Sequence, residues 1–156
     1  MDFVGAFLQA RTRNRIFVKL PAKYGELYSE FSQYCGRALR LLRSMYGTTT
    51  AGKDWDDDLH DWLTIEAKFV QSAVNGALYW HVNDDGTVLR LLNYIDNQAY
   101  YAATLDVVAG KIGNETKSEH CKHKAQGKAA EEAFPDEIAA RFNVNIFGNI
   151  HWFLSI

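Results

Sequence analysis

A chain of 156 residues, 47% hydrophobic and 23% charged, has the size of one globular domain and buries enough surface to fold without metal or disulfide staples. Its two cysteines, Cys35 and Cys121, exclude a disulfide framework, allow at most one bridge, and fit a reduced compartment. The net charge of -2 hides an asymmetry: residues 1–53 hold nine Lys or Arg against three acids, a net of +6, and the remainder eight against sixteen, a net of -8. Such a division suits a polyanion-facing half beside an acidic one, or basic residues on solvated faces. No segment approaches the roughly 20 apolar residues of a membrane span. Met1-Asp2-Phe3-Val4-Gly5-Ala6 lacks the basic leader of a signal peptide, so the expectation is an intracellular protein with no membrane partner.

Ile16-Phe17-Val18-Lys19-Leu20 is a β-branched and aromatic run closed by Pro21, and predicts a strand ending at a turn. Leu39 to Met45 mixes apolar and basic residues and is ambiguous between strand and helix. In Ala51 to Leu63, Trp55, Leu59, Trp62 and Leu63 recur at i, i+4, i+7 and i+8, which predicts an amphipathic helix. Asp54, Asp57, Asp58 and Asp61 fall on its other side, where a solvated face explains them better than cation binding. Ala77 to Val82 and Thr87 to Tyr94 predict a hairpin around Asn83-Asp84-Asp85-Gly86. A second hairpin is expected from Leu89–Ile95 and Ala99–Thr104 around Asp96-Asn97.

Residues 106–128 are the most polar stretch and predict an exposed loop or insertion. His120, Cys121 and His123 lie in it, at a spacing that matches no standard zinc pattern. Lys128 to Phe142 predicts a helix reset at Pro135, and Asn143–Ile146 and Ile150–Ile156 predict two strands around Phe147-Gly148-Asn149. Hairpin-linked strands with a few helices make the fold class α+β.

Two isolated acids, Asp2 and Asp96, adjoin strongly apolar sequence rather than charged runs. A carboxylate at a hairpin tip is ordinarily a turn former. The chemistry that would use such a pair is phosphoryl transfer, in which two hard cations take oxygen ligands from different strands.

These residues also carry a resemblance. Asp2-Phe3-Val4-Gly5-Ala6-Phe7-Leu8-Gln9-Ala10 resembles the Asp-Val-x-x-Ala-Phe-Leu-x-Gly segment of copia-type retrotransposon reverse transcriptases. Four further blocks follow in that family's order: Ile16 to Pro21; Leu41-Leu42-Arg43-Ser44-Met45-Tyr46-Gly47 running on to Trp55; Leu91 to Asn97; and Phe142 to Ile156. The resemblance implies a polymerase palm-like antiparallel sheet with packed helices, incomplete fingers and no thumb, residues 1–156 forming a partial reverse transcriptase domain. It implies RNA- or DNA-templated DNA polymerisation by two-metal nucleotidyl transfer with Mg2+ or Mn2+, using a template-primer and deoxynucleoside triphosphates. Asp2 and Asp96 match catalytic metal ligands, and the Phe3 carbonyl would complete the metal shell. Ala6, Phe7, Tyr46 and Gly47 match the nucleotide pocket, and Phe153, Leu154 and Ser155 match the primer grip.

The chain departs from that pattern in three places. Asn97 stands where the family has its second hairpin aspartate, Thr49, Thr50, Gly52 and Lys53 replace a Lys-Gln-Ala-Pro-Arg run, and Ser155 replaces a glycine. The expectation is therefore a truncated, weak or inactive polymerase, with Met1 an internal methionine of a longer polyprotein that also carries integrase and RNase H. Its expected site of action is a cytoplasmic particle or the nucleus. The alternatives are a non-catalytic nucleic-acid-binding remnant or domesticated domain, and an α+β interaction domain without a nucleic-acid role.

Overall fold

The computed structural model of the chain describes residues 1–104 and 117–147. They mix helices with antiparallel sheet and fall into two compact units, Met1–Ala6 with Leu59–Ile156, and Phe7–Asp58.

The first unit is built on a six-stranded sheet. Its strands are β1 (Asp2–Phe3), β4 (Val70–Gln71), β5 (Leu78–Val82), β6 (Thr87–Tyr94), β7 (Asn97–Thr104) and β8 (Val144–Asn145). They lie side by side in the order β4-β5-β6-β7-β1-β8, every neighbouring pair antiparallel. The β5–β6 hairpin turns where the sequence places it. Gly86 adopts a φ of 81°, which a residue without Cβ tolerates, and Asp85 accepts the Thr87 amide through Oδ1 at 2.9 Å.

The β6–β7 hairpin turns one residue earlier than expected. Tyr94 and Asn97 pair across the strands, so the turn residues are Ile95 and Asp96 rather than Asp96 and Asn97. The eight-residue register from Thr87↔Thr104 to Tyr94↔Asn97 sets this position, and it forces Ile95 to a φ of 53°. A β-branched residue in that region carries strain, at a cost of about 1–2 kcal/mol.

One face of the sheet is covered by a single helix spanning Lys117–Arg141. Phe134 meets Tyr100 at 5.2 Å and Phe69 at 5.5 Å between ring centroids, while Phe142 packs edge-on against Phe3 and Trp62. Phe3, Tyr79, Leu91, Phe134 and Ile138 are all at most 2% exposed. Each such side chain contributes roughly 1.5–3 kcal/mol by leaving water. The expected buried pairs at 91–92 and 100–101 resolve by alternation: Leu91 is fully buried and Leu92 half-buried, while Tyr100 faces the helix and Tyr101 is 45% exposed.

The helix corrects two expectations. It begins at Lys117, so residues 117–128 of the predicted loop are helical; Lys, Glu, Ala and Gln are strong helix formers, and their polarity does not oppose the helix. It also runs through Pro135, which the sequence placed in a first turn. Residues 106–116 of the predicted loop lie outside the described residues, as does the predicted strand 150–156.

The second unit holds α1 (Ala6–Gln9), which starts on the last residue of the first unit, and a two-stranded ribbon of β2 (Phe17–Lys19) and β3 (Ala38–Arg40). Between the strands come α2 (Ala22–Leu27) and a 3-10 stretch (Ser29–Tyr34). Helix α3 (Ala51–Asp61) begins in this unit, while its residues from Leu59 on and the π-helical turn over Trp62–Glu66 that continues it belong to the first unit. Trp55, Leu59, Trp62 and Leu63 are buried, as their spacing predicts. No helix among the described residues is long and apolar enough to cross a membrane.

Candidate functional site

The sheet brings Asp2 and Asp96, 94 positions apart in sequence, to one place. Strand β1 lies between β7 and β8, so Asp2 stands opposite Asn97 on one side and Asn145 on the other. The Phe3 amide donates to the Asp96 carbonyl at 2.8 Å, and the Gln98 amide donates to the Met1 carbonyl at 2.9 Å. These two bonds bracket Asp2 and Asn97 as a non-hydrogen-bonded pair, the kind with Cα atoms about 4.5 Å apart and side chains close together. Direct cross-strand partners share a face. The Asp2, Asn97 and Asn145 side chains therefore form a row on the sheet face opposite Phe3, whose ring is in the core.

Asp96 sits beside this row in the strained turn. Asn97 Nδ2 donates to Asp96 Oδ1 at 3.1 Å, which leaves the Asn97 amide oxygen as that side chain's acceptor. Asp2, Asp96 and Asn97 are half-buried and Asn145 is exposed. Two carboxylates and two amide oxygens make a hard-oxygen donor set suited to a divalent cation. Among the described residues no group of three or more His, Cys, Asp or Glu side chains gathers, so the charge available here is that of Asp2 and Asp96. Asn145 is a member the sequence did not reveal, since only the β1–β8 register brings it opposite Asp2.

The candidate nucleotide residues divide. Ala6 is buried at the first residue of α1. Phe7 and Tyr46, 39 positions apart, meet ring to ring at 4.9 Å, and Tyr46 remains 53% exposed. Gly47 follows with a φ of 88°, a conformation that turns the chain directly after Tyr46.

The segment bearing Tyr46 is held by a residue that the sequence assigned to a solvated stripe. Asp54 is 2% exposed. Its Oδ2 accepts the Ser44 hydroxyl at 2.8 Å and the Thr50 hydroxyl at 3.2 Å, and its Oδ1 takes a longer contact of 3.4 Å from the Arg13 amide. Burial alone raises the Asp54 pKa. The Ser44, Arg13, Thr50 and Thr12 hydrogen bonds outweigh that and hold the carboxyl below its ordinary value. Asp57 keeps the expected surface character, paired with Lys53 at 3.1 Å and Arg13 at 3.6 Å. No sequence signal separates Asp54 from Asp57, because helical spacing alone does not reveal that Ser44 and Thr50 come to meet one of them.

The candidate primer-grip residues Phe153, Leu154 and Ser155 lie outside the described residues. His120, Cys121 and His123 fall within the Lys117–Arg141 helix. No protein-family model, curated protein or solved structure matches the chain.

Proposed function

We propose that the Asp2–Asp96 edge is a nucleotidyl-transfer site of the copia reverse-transcriptase type, weak or inactive, on a palm-like sheet that takes an RNA or DNA template-primer and deoxynucleoside triphosphates. The supporting observation is the juxtaposition of Asp2, on a strand set between two others, with the tip of the β6–β7 hairpin. A backbone strained at Ile95 beside this carboxylate is the kind of feature that accumulates at functional sites.

The donor set fits Mg2+ or Mn2+, with Asp2 and Asp96 supplying charge and the Asn97 oxygen and Phe3 carbonyl as neutral ligands. When bound, such ions lower the pKa of an attacking hydroxyl and neutralise a leaving diphosphate. The protein's part is to bring the Asp2 carboxylate beside the hairpin turn that carries Asp96. The basic first third provides sequence-independent attraction for phosphates.

The Asn97 amide donating to Asp96 Oδ1 favours a second reading. It replaces a charge and occupies part of the remaining carboxylate, so a non-catalytic nucleic-acid-binding remnant is the alternative. Primer extension on an RNA template with Mg2+ or Mn2+ separates them. Extension abolished in Asp96→Ala supports catalysis, and equal extension in that variant overturns the site. Salt-dependent primer-template binding without incorporation supports the remnant.

A further inference from the structure

The end of α3 is tied to the β4–β5 end of the sheet by a chain of hydrogen bonds whose directions follow from one carbonyl. Gln71 on β4 lies opposite Tyr79 on β5. Its Nε2 approaches the Gly76 carbonyl at 2.7 Å and the Tyr79 hydroxyl at 2.9 Å. A carbonyl only accepts, so Gln71 gives one amide hydrogen to Gly76 and the other to the Tyr79 oxygen. The Tyr79 hydroxyl, 3.1 Å from His60 Nδ1, gives its own hydrogen to that nitrogen. Tyr79 is 2% exposed and His60 is half-buried. His81, two residues along β5, is the opposite case: its Nδ1 lies 3.1 Å from the Lys68 carbonyl and must donate. In the neutral imidazoles the proton is therefore on Nε2 of His60 and on Nδ1 of His81.

We propose that His60, Tyr79 and Gln71 form a proton-sensitive latch that holds strand β4 on the sheet at neutral pH and loosens it in acid. Protonating His60 turns Nδ1 from an acceptor into a donor and so ends the bond from the Tyr79 hydroxyl. Protonating His81 leaves its Nδ1 a donor, so the tie to Lys68 persists. Strand β4 is placed to respond: it is two residues long, both exposed, and stands at the end of the sheet beside β5. The ionisable groups on the elements around His60 are Asp56, Asp57 and Asp61 on α3, Glu66 on the π-helical turn, Lys68 before β4, and His81 on β5, while β4 and residues 72–77 carry none. Asp57 is taken up by Lys53 and Arg13, and Asp56, Asp61, Glu66 and Lys68 are exposed. The Lys117–Arg141 helix packs on β6 and β7, and its charged side chains from Lys128 to Arg141 are exposed. The latch uses none of the Asp2, Asp96, Asn97 and Asn145 side chains, and it holds or fails independently of the nucleotidyl-transfer reading.

The test is nuclear magnetic resonance of the full chain between about pH 8 and about pH 5, the interval in which imidazoles commonly take up a proton. At the upper pH, correlation of ring nitrogens with ring protons should find His60 protonated at Nε2 and His81 at Nδ1. The Ser72 amide bonds to the Leu78 carbonyl at 2.8 Å across β4 and β5, and the Asn93 amide bonds to the Ala77 carbonyl at 2.8 Å further inside the sheet. The exchange protection of Ser72, corrected for the intrinsic rate at each pH, should fall at the lower pH by about threefold to tenfold relative to that of Asn93, which is the worth of one hydrogen bond. In Tyr79→Phe, which keeps the ring, Ser72 protection should already be low at the upper pH and change no further. His60 protonated at Nδ1 at the upper pH, Ser72 protection that tracks Asn93 at both pH values, or the wild-type fall persisting in Tyr79→Phe would each overturn the latch. The nitrogen assignment and the Ser72 comparison are made on the wild type, so they decide the matter even if Tyr79→Phe does not fold.

Discussion

Replacing Asp54 by alanine should be among the most destabilising single changes in the Phe7–Asp58 unit. The carboxylate is 2% exposed and accepts two hydroxyl hydrogen bonds, from Ser44 at 2.8 Å and Thr50 at 3.2 Å. Bonds to a charged acceptor contribute about 1.5–3 kcal/mol each. The 3.4 Å contact from the Arg13 amide is too long to add much. The sum is about 3–6 kcal/mol, part of it the cost of leaving the Ser44 hydroxyl, itself 1% exposed, without its acceptor. Asp54→Asn keeps one acceptor oxygen and the shape, so about half that loss is expected. Urea unfolding at neutral pH measures both, with the slope unchanged if only the folded state is affected. The folded-state pKa of Asp54 lies below its ordinary value, so the carboxylate's contribution is fully present above about pH 4 and disappears as pH falls through the lower folded value. The gap between wild type and Asp54→Asn should close over that acid range. A loss below 0.5 kcal/mol for Asp54→Ala, on the order of an ordinary surface change, would refute the reasoning.

Asn97→Asp restores a charge beside Asp96 and removes the amide donor from it, so Mn2+ should bind at least about tenfold more tightly, as read by titration calorimetry. Equal or weaker binding contradicts the assignment. Ile95→Gly relieves a φ of 53° at an exposed position, and the relief should exceed the entropy that glycine costs by about 0.5–1 kcal/mol in urea unfolding; a destabilised variant would show the turn is unstrained. Phe134→Ala should cost about 3–5 kcal/mol, since its ring is 1% exposed and meets both Phe69 and Tyr100. A loss under 1 kcal/mol would mean that the helix does not cover the sheet in solution.

The β5–β6 hairpin was legible from Leu-, Val-, Tyr- and Trp-rich runs flanking Asn83-Asp84-Asp85-Gly86, and α3 from the 55, 59, 62, 63 spacing, which allows one buried face. The turn at 95–96 was misplaced by one residue, since Asp and Asn favour turns more than Ile does, while register is a property of whole strands. Helix 117–128 was hidden by its polarity, and α2 by its shortness and exposure. Asp2 and Asp96 could be singled out as acids in apolar surroundings, but that they meet depends on β1 lying beside β7, a long-range pairing with no local signal. For the same reason Asn145 could not be assigned to the site from the sequence.

The most direct test of the account is Mn2+ binding, followed by the loss of the free-ion signal in electron paramagnetic resonance, for the wild type, Asp2→Asn and Asp96→Asn. Each variant removes one charge from a half-buried edge and leaves its shape, so folding should persist. If the two carboxylates form one cation site, the wild type binds Mn2+ and each variant loses at least about tenfold in affinity. Equal binding in all three proteins, or none in the wild type, would contradict it.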